Sequence, residues 1–168
     1  MITANIHLGK DISIEKDASV NNINIGDATK IAGNVKDFGS PEHILEVGKG
    51  CYIGPNTIIE GFNAKVIIGD HVSFAQNINL MSGSGPNAST KMQQIFPIEK
   101  GPVTIGNHSW IGASVIIMPN VTLGKYCIVA ANSFVNKSFP DYAVIGGTPA
   151  KMIRVLTSSE IEKLNTND

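Results

Sequence analysis

From Val103 onward the sequence falls into groups of six: Ile105-Gly-Asn-His-Ser-Trp110, Ile111-Gly-Ala-Ser-Val-Ile116, Ile117-Met-Pro-Asn-Val-Thr122, Leu123-Gly-Lys-Tyr-Cys-Ile128 and Val129-Ala-Ala-Asn-Ser-Phe134. Every first position is aliphatic and every fifth is small or β-branched. The same period appears earlier, in Ile14–Ser19, Ile25–Lys30, Val47–Tyr52, Ile53–Ile58, Ile68–Ser73 and Phe74–Asn79. A period of six fits neither an amphipathic helix at 3.6 nor a strand alternating at 2. It fits a short strand followed by a tight turn. Three such units close one triangular coil of about 18 residues, and stacked coils pair as parallel strands about 4.8 Å apart with the first and fifth positions inside.

Composition agrees with this reading. There are 24 Ile and 12 Val against 6 Leu, a bias toward side chains that suit pleated surfaces. The 17 Gly and 16 Asn are the residues that most readily take positive φ in tight turns. A β-sandwich is the competing fold, but its turn signals recur every 8–12 residues and its strands alternate. The prediction is an all-β parallel β-helix of hexapeptide repeats, forming one domain over residues 1–168. The period does not fix the hand of the coil.

Counting coils yields neighbours. If Val47, Ile68, Ile105 and Leu123 begin the same face, Cys51, Val72, Ser109 and Cys127 form an inward column. Gly50, His71, His108 and Tyr126 then form an outward corner column. The two cysteines lie three coils apart, about 14 Å, too far to bridge. Two stretches break the count: a bulge near Gly61-Phe-Asn-Ala64, and a projecting loop over about 82–102, to which Met92, Ile95, Phe96 and Ile98 give something to pack with, so that an arm touching a neighbouring subunit is expected over a floppy insert. Thr157-Ser-Ser-Glu160 reads as a capping box for a short C-terminal helix through about Leu164.

Several function classes are excluded by charge and hydropathy. Lys plus Arg number 13 against 14 Asp plus Glu, a net charge of −1, and no basic run suggests nucleic acid or an anionic membrane. No apolar run approaches the roughly 20 residues that cross a bilayer, and the first residues lack the features of a signal peptide. A cytoplasmic protein without membrane insertion is expected.

Gly101-Pro-Val-Thr-Ile-Gly-Asn-His-Ser-Trp-Ile-Gly112, the following hexads and Ile145-Gly-Gly-Thr-Pro-Ala-Lys-Met-Ile-Arg154 resemble the left-handed parallel β-helix acetyltransferases, nearest to the maltose, galactoside and surface-polysaccharide O-acetyltransferases. The resemblance covers roughly Val47 to Arg154. It implies a left-handed coil, a homotrimer, acetyl-coenzyme A as co-substrate and transfer of the acetyl group to a sugar or glycan hydroxyl. A histidine would act as general base and no covalent acyl-enzyme would form.

Carried over by position, Trp110 matches the family tryptophan beside the active site. Ala113 and Ala131 match positions along the pantetheine arm. Asn136, Lys137, Lys151 and Arg154 match polar and basic positions near the nucleotide end, where the phosphates of coenzyme A call for cations. Asn56 lands near the acceptor-binding asparagine. The family's catalytic histidine position, at the start of the projecting loop, holds Gly85, which cannot be a base. That leaves His108 and His71 as candidate bases, with Gly85 lining the acceptor site. The alternative for both histidines is a purely structural place at the corner. The alternative for the whole chain is a catalytically silent trimer that binds a sugar, a coenzyme or a partner protein. A zinc-dependent carbonic anhydrase on the same prism would need three histidines around the metal. Only His71 and His108 are placed close together, so no metal site is expected.

Overall fold

The computed structural model describes residues 4–166. Each hexad supplies a two- to four-residue strand and a turn, and six coils stack into a prism with three parallel sheets. Face A has six strands, from Ile6–Leu8 to Thr122–Leu123. Face C has six, from Ser19–Asn21 to Phe134–Val135. Face B has eight; seven are parallel, from Ser13–Ile14 to Ala143–Gly146, and Lys151–Val155 returns antiparallel along its C-terminal edge.

The inside of the prism is the hydrophobic core. Ile31, Ile53, Phe74, Ile111, Val129 and Ile145 are fully buried behind face B. Each such side chain contributes about 1.5–3 kcal/mol of transfer free energy, which lets short strands hold together without wide sheets. The predicted inward column is present: Cys51, Val72, Ser109 and Cys127 are all buried and both thiols are free. Ser109 closes its polarity inside that column, donating to Gly124 O at 3.1 Å and accepting from Cys127 N at 3.1 Å.

The corners explain the asparagine count. The turn between faces B and C places Asn34, Asn56, Asn77 and Asn132 at φ of 55–60°, a region where Asn is tolerated because its short amide bonds locally. Asn34 Nδ2 donates to Asn56 Oδ1 at 2.8 Å, linking successive rungs.

Three stretches depart from the repeat. The bulge at 62–64 and the projecting loop lie where the spacing predicts them. The third, Ser40–Ile44, inserts a turn closed by reciprocal bonds between Ser40 and His43. The loop is ordered by a two-stranded hairpin, Gly83–Ser84 against Glu99–Lys100, and by a single helical turn, α1 (Thr90–Gln93), capped by Ser89. Its tip presents Ile95 and Phe96, 70% and 60% exposed. Helix α2 (Ser158–Asn165) carries the predicted capping box between Thr157 and Glu160. Among the described residues no helix is long and apolar enough to cross a membrane.

Candidate active site

Most of the sequence-predicted site residues gather on face B and its two flanking corners. Trp110 points outward from the middle of that face, 57% exposed, between Ser73 and Ile128 in the neighbouring strands. On one flank stands the predicted column, now a continuous ladder of rings. His71 stacks on His108 with centroids 5.0 Å apart, His108 on Tyr126 at 4.9 Å, and Tyr126 on Tyr142 at 5.5 Å, all within 15° of parallel.

The ladder has a physical cost and a compensation. His71, His108, Tyr126 and Tyr142 all have positive φ, between 55° and 64°, which costs roughly 1–2 kcal/mol per L-residue. Each stacked pair returns about 0.5–1.5 kcal/mol, so the rings offset a large part of the strain. Gly50 heads the column at φ 64°. A Cβ there would lie 2.5 Å from His71 Nδ1, so glycine serves both the backbone and the ring beneath it. Both faces of the His108 ring are covered, which leaves only its edge to meet a ligand.

On the other flank, the corner between faces B and C carries Asn56, Ala113 and Ala131. The two alanines put nothing larger than a methyl between the corner backbone and a ligand lying along it, and Ala131 is exposed. Lys151 and Arg154 lie on the antiparallel edge strand of face B, whose five residues are all exposed. Arg154 is already engaged: its two terminal nitrogens donate to Glu160 at 2.7 and 3.0 Å. These bonds, together with those from Thr157, hold the Glu160 carboxyl down to about 2. Asn136 and Lys137 lie apart, in the exposed segment that leaves face C, with the Lys137 ammonium 5.5 Å from the Phe139 ring centroid.

Gly85 belongs to a different corner, between faces C and A, so one chain does not bring it to the histidine ladder. A Cβ at position 85 would lie 2.8 Å from Ile98 Cα, so the hairpin itself demands glycine here. Beside it lies a residue the sequence did not reveal, Glu60. Its carboxylate accepts from the backbone N–H of Phe62 at 2.6 Å, of Ser82 at 3.0 Å and of Gly83 at 3.2 Å, and from the Ser82 hydroxyl at 3.2 Å. This one side chain fastens the loop base to the bulge. The only sequence signal was an acidic residue at the start of a break in the repeat.

Stacked imidazoles cannot converge on one metal ion, and among the described residues no three His, Cys, Asp or Glu side chains cluster. Burial pushes both cysteine thiols up, away from the thiolate that nucleophilic catalysis needs.

Residues 102–137 match the family model described as bacterial transferase hexapeptide (six repeats). A Saccharomyces cerevisiae protein that carries an acetyltransferase name is 35% identical over 132 residues, covering 74% of this chain and 66% of its own length. The galactoside O-acetyltransferase of Escherichia coli K12 is 35% identical over 124 residues, covering 73% of this chain and 58% of its own length. The chain thus spans between 58% and 66% of the length of these two relatives. Among solved structures, a point mutant of AntD, an N-acyltransferase from Bacillus cereus, in complex with dTDP and coenzyme A gives a TM-score of 0.81 at 24% identity, covering 96% of this chain and 89% of that one. At that identity the likeness establishes the fold.

Proposed function

The chain belongs to the left-handed parallel β-helix (hexapeptide-repeat) acetyltransferases, and on that premise we propose that it transfers the acetyl group of acetyl-coenzyme A to a hydroxyl of a sugar or surface polysaccharide. The observation that carries this reading is the 35% identity to a galactoside O-acetyltransferase along 73% of the chain. The acetyltransferase names of its relatives favour a catalyst over a silent binding protein. The residues fit the co-substrate in two respects: Ala113 and Ala131 leave a corner open to an extended arm, and Lys151 offers a cation on the adjoining face, where Arg154 would have to exchange Glu160 for a phosphate.

In the reaction the acceptor oxygen bonds to the thioester carbonyl carbon and the carbon–sulfur bond breaks. The hydroxyl proton passes to a base, and coenzyme A leaves with a proton on sulfur. Gly85 cannot supply the base. We assign that role to the exposed edge of His108, the ladder imidazole nearest Trp110 in sequence, with His71 stacked behind it as its support. The apolar loop tip at Ile95 and Phe96 is the expected contact in a homotrimer, since cyclic closure would cover it.

The test is thiol release from acetyl-coenzyme A with a panel of sugar acceptors. His108→Ala should lower kcat on the order of 10²-fold while coenzyme A affinity stays intact, and His71→Ala should cost less. Wild-type turnover in both variants would make the ladder purely structural.

A further inference from the structure

One cavity plays no part in the chemistry above. It is an open cleft on face C at the N-terminal end of the prism, with a volume of about 410 Å³. Phe38 and Phe62 line it together with Lys36, Ser19, Asn21 and Asn22. Its volume falls within the roughly 300–1,000 Å³ of small-molecule sites. Phe62 comes from the bulge that interrupts the repeat and is 59% exposed. A large aromatic ring left this open loses apolar burial that a ligand could restore. Ring faces beside amide and hydroxyl groups are the chemistry that takes up a sugar, whose C–H face is apolar and whose rim is hydroxylated.

The free charge of the cavity is positive. Lys36 makes no ion pair among the described residues, where the salt bridges join Lys65 to Glu46 and Arg154 to Glu160. The neighbouring acids do not cancel it: Asp37 is turned into the core, and the Glu60 oxygens are taken up by the N–H groups at the loop base. The cavity also has a fixed place relative to the donor corner. Lys36 is in register with Ile58, Asn79 and Ile116 along face C, and Ile116 follows the turn that carries Ala113. Three strand spacings separate Lys36 from that level, about 14 Å, farther than a single sugar ring extends.

We propose that this cavity is a distal acceptor subsite, holding a negatively charged unit of an extended acceptor with its ring against Phe38 and Phe62 and its anionic group at Lys36. The acceptor is then an acidic glycan or a sugar carried on a diphosphate, and not a free monosaccharide. Calling the ligand an acceptor rests on the acyl-transfer reading; the anionic-sugar site does not.

The experiment titrates the whole chain, by calorimetry and saturation-transfer NMR, with trigalacturonate, UDP-galactose and maltotriose, and separately with acetyl-coenzyme A. The proteins are wild type, Phe62→Ala and Lys36→Met, both substitutions lying at the surface. At least one anionic probe should bind, tenfold or more tighter than maltotriose, and each variant should weaken it tenfold or more without changing acetyl-coenzyme A affinity. A response to trigalacturonate alone identifies a carboxylated glycan, and a response to UDP-galactose alone a diphosphate-linked sugar. Equal binding of maltotriose, unchanged affinity in the variants, or no binding of either anionic probe overturns the proposal. If the anionic probes behave as expected while acetyl-coenzyme A does not bind, the acyl-transfer reading fails and the saccharide site stands.

Discussion

Replacing Asp37 with valine should stabilise this protein, and by more at alkaline than at acid pH. Asp37 fills an inward position of face C, in register with Val20 on one side and Ile59 on the other. It is 0% exposed, and among the described residues neither carboxyl oxygen has a well-formed hydrogen bond. Desolvation by burial pushes the carboxyl well above its usual range, and the opposing influence of the Ile59 backbone is smaller. Above the unfolded value near 3.9 the unfolded chain has released a proton that the folded chain still holds. Stability therefore falls as pH rises from there to the raised folded value, by at most about 1.4 kcal/mol per pH unit. Valine removes both this slope and the buried polar group, whose burial costs about 1–3 kcal/mol, and it matches the β-branched neighbours. For a chain of this size 1 kcal/mol corresponds to about 2–4 °C in melting temperature, so removing the buried polar group alone should gain about 2–12 °C, and the gain at pH 8 should exceed the gain at pH 5 by the lost slope. Melting temperatures and urea midpoints of wild type and Asp37→Val at pH 5 and pH 8, at fixed protein concentration, decide the matter. A variant no more stable than wild type at pH 8, or a gain that is the same at both pH values, would show that the buried carboxyl does not carry this cost.

Other expectations follow from the corners and the loop. Gly50→Ala combines left-handed backbone strain with a clash against the His71 ring, and should cost about 2–4 kcal/mol in urea unfolding; adding His71→Ala should recover part of the loss. Glu60→Ala takes the carboxylate acceptor from the N–H groups of Phe62 and Gly83, while Ser82 N–H keeps the Glu60 carbonyl at 2.9 Å; a polar group left buried and unpaired costs about 1–3 kcal/mol, and limited proteolysis should then cut the 82–102 loop faster. The Glu160 carboxyl, lowered to about 2, contributes stability that is present above its unfolded value near 4.5 and lost as pH falls toward 2. Amide protection of α2 should disappear across that window, and Arg154→Ala should blunt the change.

Much of the fold could be read from the sequence because every coil repeats one environment. A residue at the fifth position of a hexad meets the same neighbours six residues later or one coil away, so the Cys51 and His71 columns followed from counting. The 22-residue step from Ile25 to Val47, paired across adjacent strands, held the signal of the extra turn at Ser40–Ile44, four residues more than a coil needs. The count placed His108 beside His71 but could not show that Tyr142 extends the stack, since Pro140 and Asp141 fall outside the repeat. Asp37 in Lys-Asp-Phe-Gly resembles a turn residue, and only the register with Val20 and Ile59 reveals that it points inward. Glu60 and Arg154 gain their partners from segments brought together by departures from the repeat, at 82–83 and at Glu160, and periodicity carries no information about those meetings.

The most direct test of the acyl-transfer account follows the acetyl group itself. The whole chain is incubated with acetyl-coenzyme A isotopically labelled in the acetyl carbons and with a mixture of neutral and acidic saccharides, and the products are separated and analysed by mass spectrometry. The account predicts labelled acetyl on a saccharide oxygen, as an ester released by mild base, with one free coenzyme A thiol formed per ester. Label that stays on coenzyme A, or appears only as free acetate whatever saccharide is present, would contradict it.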